Sequence, residues 1–456
     1  MKVKFKYAIM AVAALTLGLT SCSNDDEVTG GGTDNGKETY MKVSINFPSA
    51  NNPRTRAVAT DDQNATDDEA DVKTVDVYLY SGSGAYISHT RFDASKFTAD
   101  AQSNGEDKYT ATEKIQTTTG EKNVHVGINL PSSVASAIEY KPMSDLATVA
   151  TSMTRAEMTD LSNGLPMFSS IPANTILVED DTQAANTVTV KVERLVAKVT
   201  VESDPTMVVA GVPGTLGNLK FAIYNFNEKQ FLVQGASSFY KDPNWDELPT
   251  IPTGDFSQPS TSDWAAVLDG KTITSPSVDD YEALYASENT SEGKRKGEIT
   301  RVVVRATFIP ATITVYTNNT NKSEGYSTTT NSTSIAGTFY AVTPSVSAGT
   351  SYFINPSVAA DFATDKGGIV DTYTDGYAYW HMYLNKDAAA GDTRYDVLRN
   401  DYLKCNITRI VAPGRSKPDI TYPEDGYKPD ADTNITTNIE VLFWNVPILN
   451  NYELEP

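Results

Sequence analysis

The sequence predicts an all-β fold, mainly antiparallel and built as sandwiches with a few short helices. Three observations carry this expectation. Apolar residues recur at every second position in run after run, the period of a strand with one buried face. Long helical patterns are scarce, and residues 132–163, the most helix-like stretch, suffice for one or two short helices. The 28 Gly and 22 Pro suit a fold with many turns. No blade-like repeat is present, which favours a sandwich over a propeller. With 456 residues and 39% hydrophobic content, the chain can bury two or three cores.

The first 22 residues read as an export signal. Lys2, Lys4 and Lys6 precede an apolar run over residues 7–19, too short and too near the start for a permanent membrane span. The run ends in Leu19-Thr20-Ser21-Cys22. That ending resembles the bacterial lipoprotein lipobox, which implies acylation of Cys22 and cleavage just before it. An ordinary signal peptide is the alternative. Residues 23–38 (SNDDEVTGGGTDNGKE) form a polar, Gly-rich tether.

The first strand follows at residues 39–48 (TYMKVSINFP). Met41, Val43, Ile45 and Phe47 alternate with Lys42, Ser44 and Asn46. Directly after it, SANNPRTRAVATDDQ places Arg54 and Arg56, just before Ala57, in a polar, Pro-containing loop open to an Arg-specific protease. Further strands are expected at residues 72–80 (VKTVDVYLY) and at 121–131 (EKNVHVGINLP). In the latter Val124, Val126, Ile128 and Leu130 point inward, and His125 points outward or to a strand edge.

Residues 187–203 (TVTVKVERLVAKVTVES) are the longest β run. Val188, Val190 and Val192 share one parity; Leu195, Ala197, Val199 and Val201 share the other. The switch at Glu193-Arg194 means a bulge, or a strand leaving one core for a second. Residues 241–295, rich in Pro, Ser and Asp, read as an extended loop with little core. A strong strand at 300–309 follows, then a Thr/Asn-rich hairpin or loop at 311–333 and strands at 334–343, 376–384 and 398–410.

The chain ends in TNIEVLFWNVPILNNYELEP, with Leu442, Trp444, Val446, Ile448, Tyr452 and Leu454 at strand spacing. Pro447 cannot donate to a ladder, so two short strands are expected, about 439–446 and 448–454. Such an ending either packs on its own domain or is offered to a neighbour.

Composition and motifs argue against chemistry. The formal net charge of −21 argues against a nucleic-acid partner, whose phosphates need a basic surface. His89, His125 and His381 lie far apart, with no HExxH or CxxC, so no metal or cofactor site is expected. Asp430, Asp432 and Asn434 have calcium-loop spacing but lack the Gly and later Glu such a loop needs. Cys405, in YLKCNIT, reads as a small buried hydrophobe. Trp380, Tyr377 and Tyr379 are candidates for sugar stacking, though core packing is the stronger expectation. No nucleophile elbow or phosphate loop occurs, and the chain is not expected to be an enzyme.

Several of these pieces together resemble the fimbrillin family of Bacteroidetes, subunits of type V pili, and most of all the short-fimbria major subunit. The likeness is carried by the lipobox at Cys22, YMKVSINFP followed by Arg in a loop, VERLVAKVTV at 192–201, GYAYWHMYLN with VLRNDYLKCNITRI, and the closing NIEVLFWNVPILNNYELEP. The resemblance implies two tandem transthyretin-like β-sandwich domains. The expected division is a signal at 1–22, a tether and removable strand at 23–56, sandwiches at 57–190 and 191–436, and donor strands at 437–456. It implies an outer membrane lipoprotein precursor, transiently anchored by its lipid, that becomes part of a cell-surface fimbrium. A trypsin-like or Arg-specific protease would cut after Arg54 or Arg56 and release the strand bearing Met41, Val43, Ile45 and Phe47. The C-terminal segment of another copy would fill the groove, giving a head-to-tail polymer that also meets anchor and tip subunits. The alternative is a tip adhesin of such a pilus or a surface glycan-binding lipoprotein.

Overall fold

The structure is a computed structural model. It describes residues 36–47, 63–64, 68–99, 108–179, 186–234, 241–245, 256–269, 282–332, 337–345, 349–386, 394–420, 424–429 and 435–445. These form two β-sandwiches in tandem.

The first sandwich contains β1 (Glu38–Asn46), β2 (Thr74–Ser81), β3 (Tyr86–Asp93), β4 (Phe97–Ala99), β5 (Lys108–Ala111), β6 (Ile115–Thr118), β7 (Gly120–Ile128), β8 (Met167–Phe168), β9 (Ala173–Leu177), β10 (Thr187–Lys191) and β11 (Glu193–Arg194). One sheet has the order β10-β1-β5-β4, with β6 also on β1; the other has the order β11-β8-β7-β2-β3, with β9 on β7. Period-two side chains from both sheets fill the space between them. Met41, Val43 and Ile45 of β1 meet Val75, Val77 and Leu79 of β2 and Val124, Val126 and Ile128 of β7.

The second sandwich contains β12 (Val196–Val209), β13 (Gly214–Tyr224), β14 (Ala265–Ala266), β15 (Leu268–Asp269), β16 (Leu284–Ser287), β17 (Arg301–Pro310), β18 (Tyr377–Tyr383), β19 (Asp401–Ile410) and β20 (Ile435–Asn445). Its sheets run β20-β19-β12-β15, with β16 on β12, and β14-β13-β17-β18. Ala197, Val199 and Val201, with Leu403 beside them on β19, face Val302, Val304 and Trp380 across its core. The parity switch therefore has a structural meaning. Val188 and Val190 of β10 point into the first core, while Ala197, Val199 and Val201 of β12 point into the second. Glu193 and Arg194 still pair with β8, so the chain changes sandwich between Arg194 and Val196, a few residues beyond the expected 190/191 boundary.

A third apolar cluster joins the two halves. Tyr78, Phe168 and Leu195 from the first side meet Phe226, Tyr285 and Tyr402 from the second. The short helices α1 (Ser132–Ala137) and α2 (Arg155–Thr159) add Val134 and Met158 to it. A third helix, α3 (Pro356–Lys366), was not expected from periodicity. Its apolar side chains Val358, Ala359 and Phe362 cover a small sheet beside the second sandwich. The 241–295 stretch also holds more core than expected. Tyr285 and Ala286 on β16 are buried and β16 pairs with β12. No helix among the described residues is long and apolar enough to cross a membrane.

Candidate functional site

β1 has the pattern of a half-buried strand, and the fold places it in the middle of its sheet. On one side it pairs in parallel with β10, Lys42 opposite Thr187 through Asn46 opposite Lys191. On the other side it pairs antiparallel with β6 near its start and β5 near its end. Met41 and Val43 are fully buried, and Ile45 and Phe47 nearly so. The polar face is also tied down. Ser44 Oγ lies 2.6 Å from Thr110 Oγ1. Asn186 Nδ2 donates to Thr39 Oγ1 and to the Tyr40 carbonyl, both at 3.1 Å.

Without β1 the sheet would have a slot, with unpaired backbone of β10 on one wall and of β5 and β6 on the other. Burial of four large apolar side chains contributes about 6–12 kcal/mol gross. A typical domain's whole net stability is about 5–15 kcal/mol. The magnitudes decide the point: such a slot is stable only when some strand fills it.

The predicted terminal strand divides in two. Residues 435–445 are β20, paired antiparallel with β19 from Ile435 opposite Ile410 to Phe443 opposite Asp401. Thr437 is buried and Ile439 packs on the second core. Leu442 and Trp444, expected on a donor strand, thus stand on a strand of the chain's own second sandwich. The reason is main-chain pairing, which side-chain alternation does not report. Val446, Ile448, Tyr452 and Leu454 lie outside the described residues, as do Cys22, Arg54, Arg56, Ala57 and the Asp430, Asp432, Asn434 group.

Past Arg54 and Arg56 in the sequence, the next described residues lie beside β20. The two-residue strand Gln63–Asn64 pairs in parallel with it, Gln63 opposite Trp444 and Asn64 opposite Asn445. Glu69 then enters the junction between the sandwiches, 1% exposed. Its carboxylate lies 2.8 Å from Lys198 Nζ and accepts from the Tyr285 hydroxyl at 2.7 Å. Arg194 Nε donates to the Glu69 carbonyl at 3.3 Å. Burial lowers the Lys198 pKa, and the Glu69 carboxylate opposes that shift. Glu69 belongs to the acidic stretch TDDQNATDDEAD at 60–71, whose composition is that of a solvated loop and gives no sign of its burial.

Other expected positions resolve as structural. His125 does turn away from the first core, as alternation requires, but the inter-sandwich cluster covers it and it is 1% exposed. It stacks on Phe168 and its Nδ1 lies 2.9 Å from the Ser169 carbonyl. Burial lowers its pKa to about 4, against a smaller opposing effect of that hydrogen bond. Cys405 is fully buried, which pushes its thiol up to about 12 and leaves it no use as a nucleophile. Trp380 packs in the second core and donates to the Ala412 carbonyl at 3.2 Å. Tyr377 and Tyr379 lie on the outer face, where Arg305 sits between the rings of Tyr377 and Trp264. No group of side chains among the described residues is arranged to hold a metal ion.

Fold and site together define a tandem β-sandwich protein whose first strand sits centrally in one sheet. Two family models match the chain in order. The "Major fimbrial subunit protein (FimA)" model matches residues 41–204, and the "Major fimbrial subunit protein type IV, Fimbrillin, C-terminal" model matches 371–448. Together they span more than half of the chain, which belongs to the fimbrillin family. Similar solved structures include a fimbrilin from Porphyromonas gingivalis W83, 13% identical, covering 89% of this chain and 98% of that one, at TM-score 0.46. The tip fimbrial protein Mfa3 of Porphyromonas gingivalis, with a C-terminal truncation, is 14% identical over 89% of this chain and all of that one, at TM-score 0.40. A fimbrial assembly protein from Parabacteroides distasonis ATCC 8503 is 11% identical over 89% and 100%, at TM-score 0.39. No curated protein matches the chain.

Proposed function

We propose that the chain is a structural subunit of a cell-surface fimbria, exported as a lipoprotein acylated at Cys22 and assembled by strand exchange. Cleavage after Arg54 or Arg56 removes the lipid anchor, the tether and β1 in one piece. The slot between β10 and β5–β6 then takes the terminal segment of a second copy. The observation that carries this reading is the place of β1: an interior strand, buried through four apolar side chains, with Arg54 and Arg56 next in the sequence. The two apolar sets correspond in number. Met41, Val43, Ile45 and Phe47 leave, and Val446, Ile448, Tyr452 and Leu454, beyond β20, supply their replacement. Because β20 already belongs to the second sandwich, the segment assigned to donation begins after Asn445. Each copy gives a tail and receives one through a different surface, so the contact does not close and a filament grows.

The test is limited digestion of the uncut chain with a trypsin-like protease. The chain loses its residues through 54 or 56 and forms a ladder of heat-sensitive oligomers on a gel. An Arg54→Ala, Arg56→Ala variant stays uncut and monomeric. Clipped protein that stays monomeric at high concentration overturns the proposal.

A further inference from the structure

At the end of the first sandwich where β1 leaves, the structure contains a pocket of about 230 Å³, open on one side and mostly apolar. Ile45, Phe47, Val72, Ala94, Phe97 and Tyr109 line it. Phe47 forms one wall, edge-on to Tyr109 with ring centroids 5.7 Å apart, so β1 borders the space without filling it. An apolar cavity of about 150 Å³ already admits benzene, so this one admits a phenol ring. Asp71 also lines it, its carboxylate ion-paired with Lys73 and partly exposed. Once Ile45 and Phe47 leave with β1, the walls that remain are Val72, Ala94, Phe97 and Tyr109, with Asp71 carrying a hydrogen-bond acceptor.

We propose that this cavity is the seat of Tyr452 from a second copy of the chain, an inference that rests on the strand-exchange reading above. The cavity is continuous with the space held by Ile45 and Phe47, so a strand that replaces β1 passes it. The tail after Asn445, VPILNNYELEP, has 11 residues and spans up to about 36 Å when extended. Tyr452 is the seventh residue of the tail and reaches about 23 Å, which matches the about 24 Å from Glu38 to Ile45 along β1. Among the tail's apolar residues only Tyr452 combines a ring with a polar tip. A buried tyrosine hydroxyl usually finds a hydrogen-bond partner, and Asp71 carries a carboxylate that can accept a hydrogen bond from it. Val446, Ile448 or Leu454 in the same place would bring nothing to that carboxylate.

The test is a cross-link between copies. One full chain carries Ala94→Cys and another carries Tyr452→Cys. Clipping removes Cys22, and the remaining cysteine, Cys405, is fully buried. Uncut variants that melt like the parent chain are clipped, mixed, oxidised and run on a non-reducing gel. The proposal expects a reducible covalent dimer from this mixture and none from Ala94→Cys mixed with Thr261→Cys, an exposed position on the second sandwich. A heat-sensitive ladder without the cross-link overturns the Tyr452 assignment and leaves strand exchange standing. The absence of any ladder overturns both. A cross-link within single chains of the double variant at high dilution overturns the second-copy occupant. As an independent measure, Tyr452→Ala speeds oligomer dissociation at least about tenfold, equivalent to about 1.4 kcal/mol, and Tyr452→Phe does so less. Equal rates for Tyr452→Ala and the parent overturn the assignment.

Discussion

Ile45→Ala separates a strand that holds the precursor from one that holds the polymer. Ile45 is 1% exposed and touches the first core from near the end of β1. Truncation of a buried Ile to Ala costs about 2–5 kcal/mol, more where the surroundings cannot collapse. Here the removed atoms border an existing cavity, so the walls have little to collapse onto and about 3–5 kcal/mol is expected. At about 2–4 °C per kcal/mol for a unit of this size, the first sandwich of the uncut chain should melt about 6–20 °C lower. The assay is thermal unfolding of the uncut variant, followed by the temperature at which its clipped ladder collapses on a gel. If β1 leaves on clipping, the ladder of Ile45→Ala is as heat-stable as that of the parent. A ladder weakened as much as the precursor means that β1 stays in the polymer, and refutes the reasoning.

Two further predictions concern the junction between the sandwiches. Glu69→Gln removes the anion from Lys198, whose side chain is 1% exposed, and should cost about 3–5 kcal/mol in denaturant unfolding. A loss under about 1 kcal/mol would show the pair to be dispensable. His125 gives a pH signature: its folded pKa is about 4, against about 6.5 in the unfolded chain. Below pH 6.5 the unfolded chain binds a proton that the folded chain refuses. Stability is thus full above 6.5 and falls by about 1.4 kcal/mol per pH unit toward pH 4. His89 has the opposite sign. Burial would lower its pKa, but hydrogen bonds with Asp76 and Glu139 outweigh that and raise it. Its contribution is full below 6.5 and is lost as pH rises through the raised value. His125→Gln should therefore flatten the acid limb of a stability–pH curve, and an unchanged limb would rule out this assignment.

Much of the fold was legible because period-two alternation reports burial directly. β1, β2, β7, β10, β12, β17 and β19 all fall where alternating residues placed strands, and the parity switch at Glu193-Arg194 marked the passage between cores. What alternation cannot report is which backbone a strand pairs with. That is why residues 435–445 read as one unit with the tail, although β20 is held by β19. Helix α3 was missed because its apolar stripe is weak. Its ends carry a usable signal: Asn355 caps the first turn, Pro356 opens it and Gly367 follows it. The covered position of His125 depends on a second layer, supplied by residues far along the chain such as Phe226 and Tyr402. Periodicity within one strand carries no trace of that layer.

The central claim is that a tail beyond β20 fills the slot β1 leaves. A chain ending at Asn445 keeps both sandwiches and the Arg-containing loop, so its uncut form should melt like the parent. After clipping with a trypsin-like protease it should give no oligomer ladder at any concentration. A ladder from this truncated chain as strong as the parent's would contradict the account.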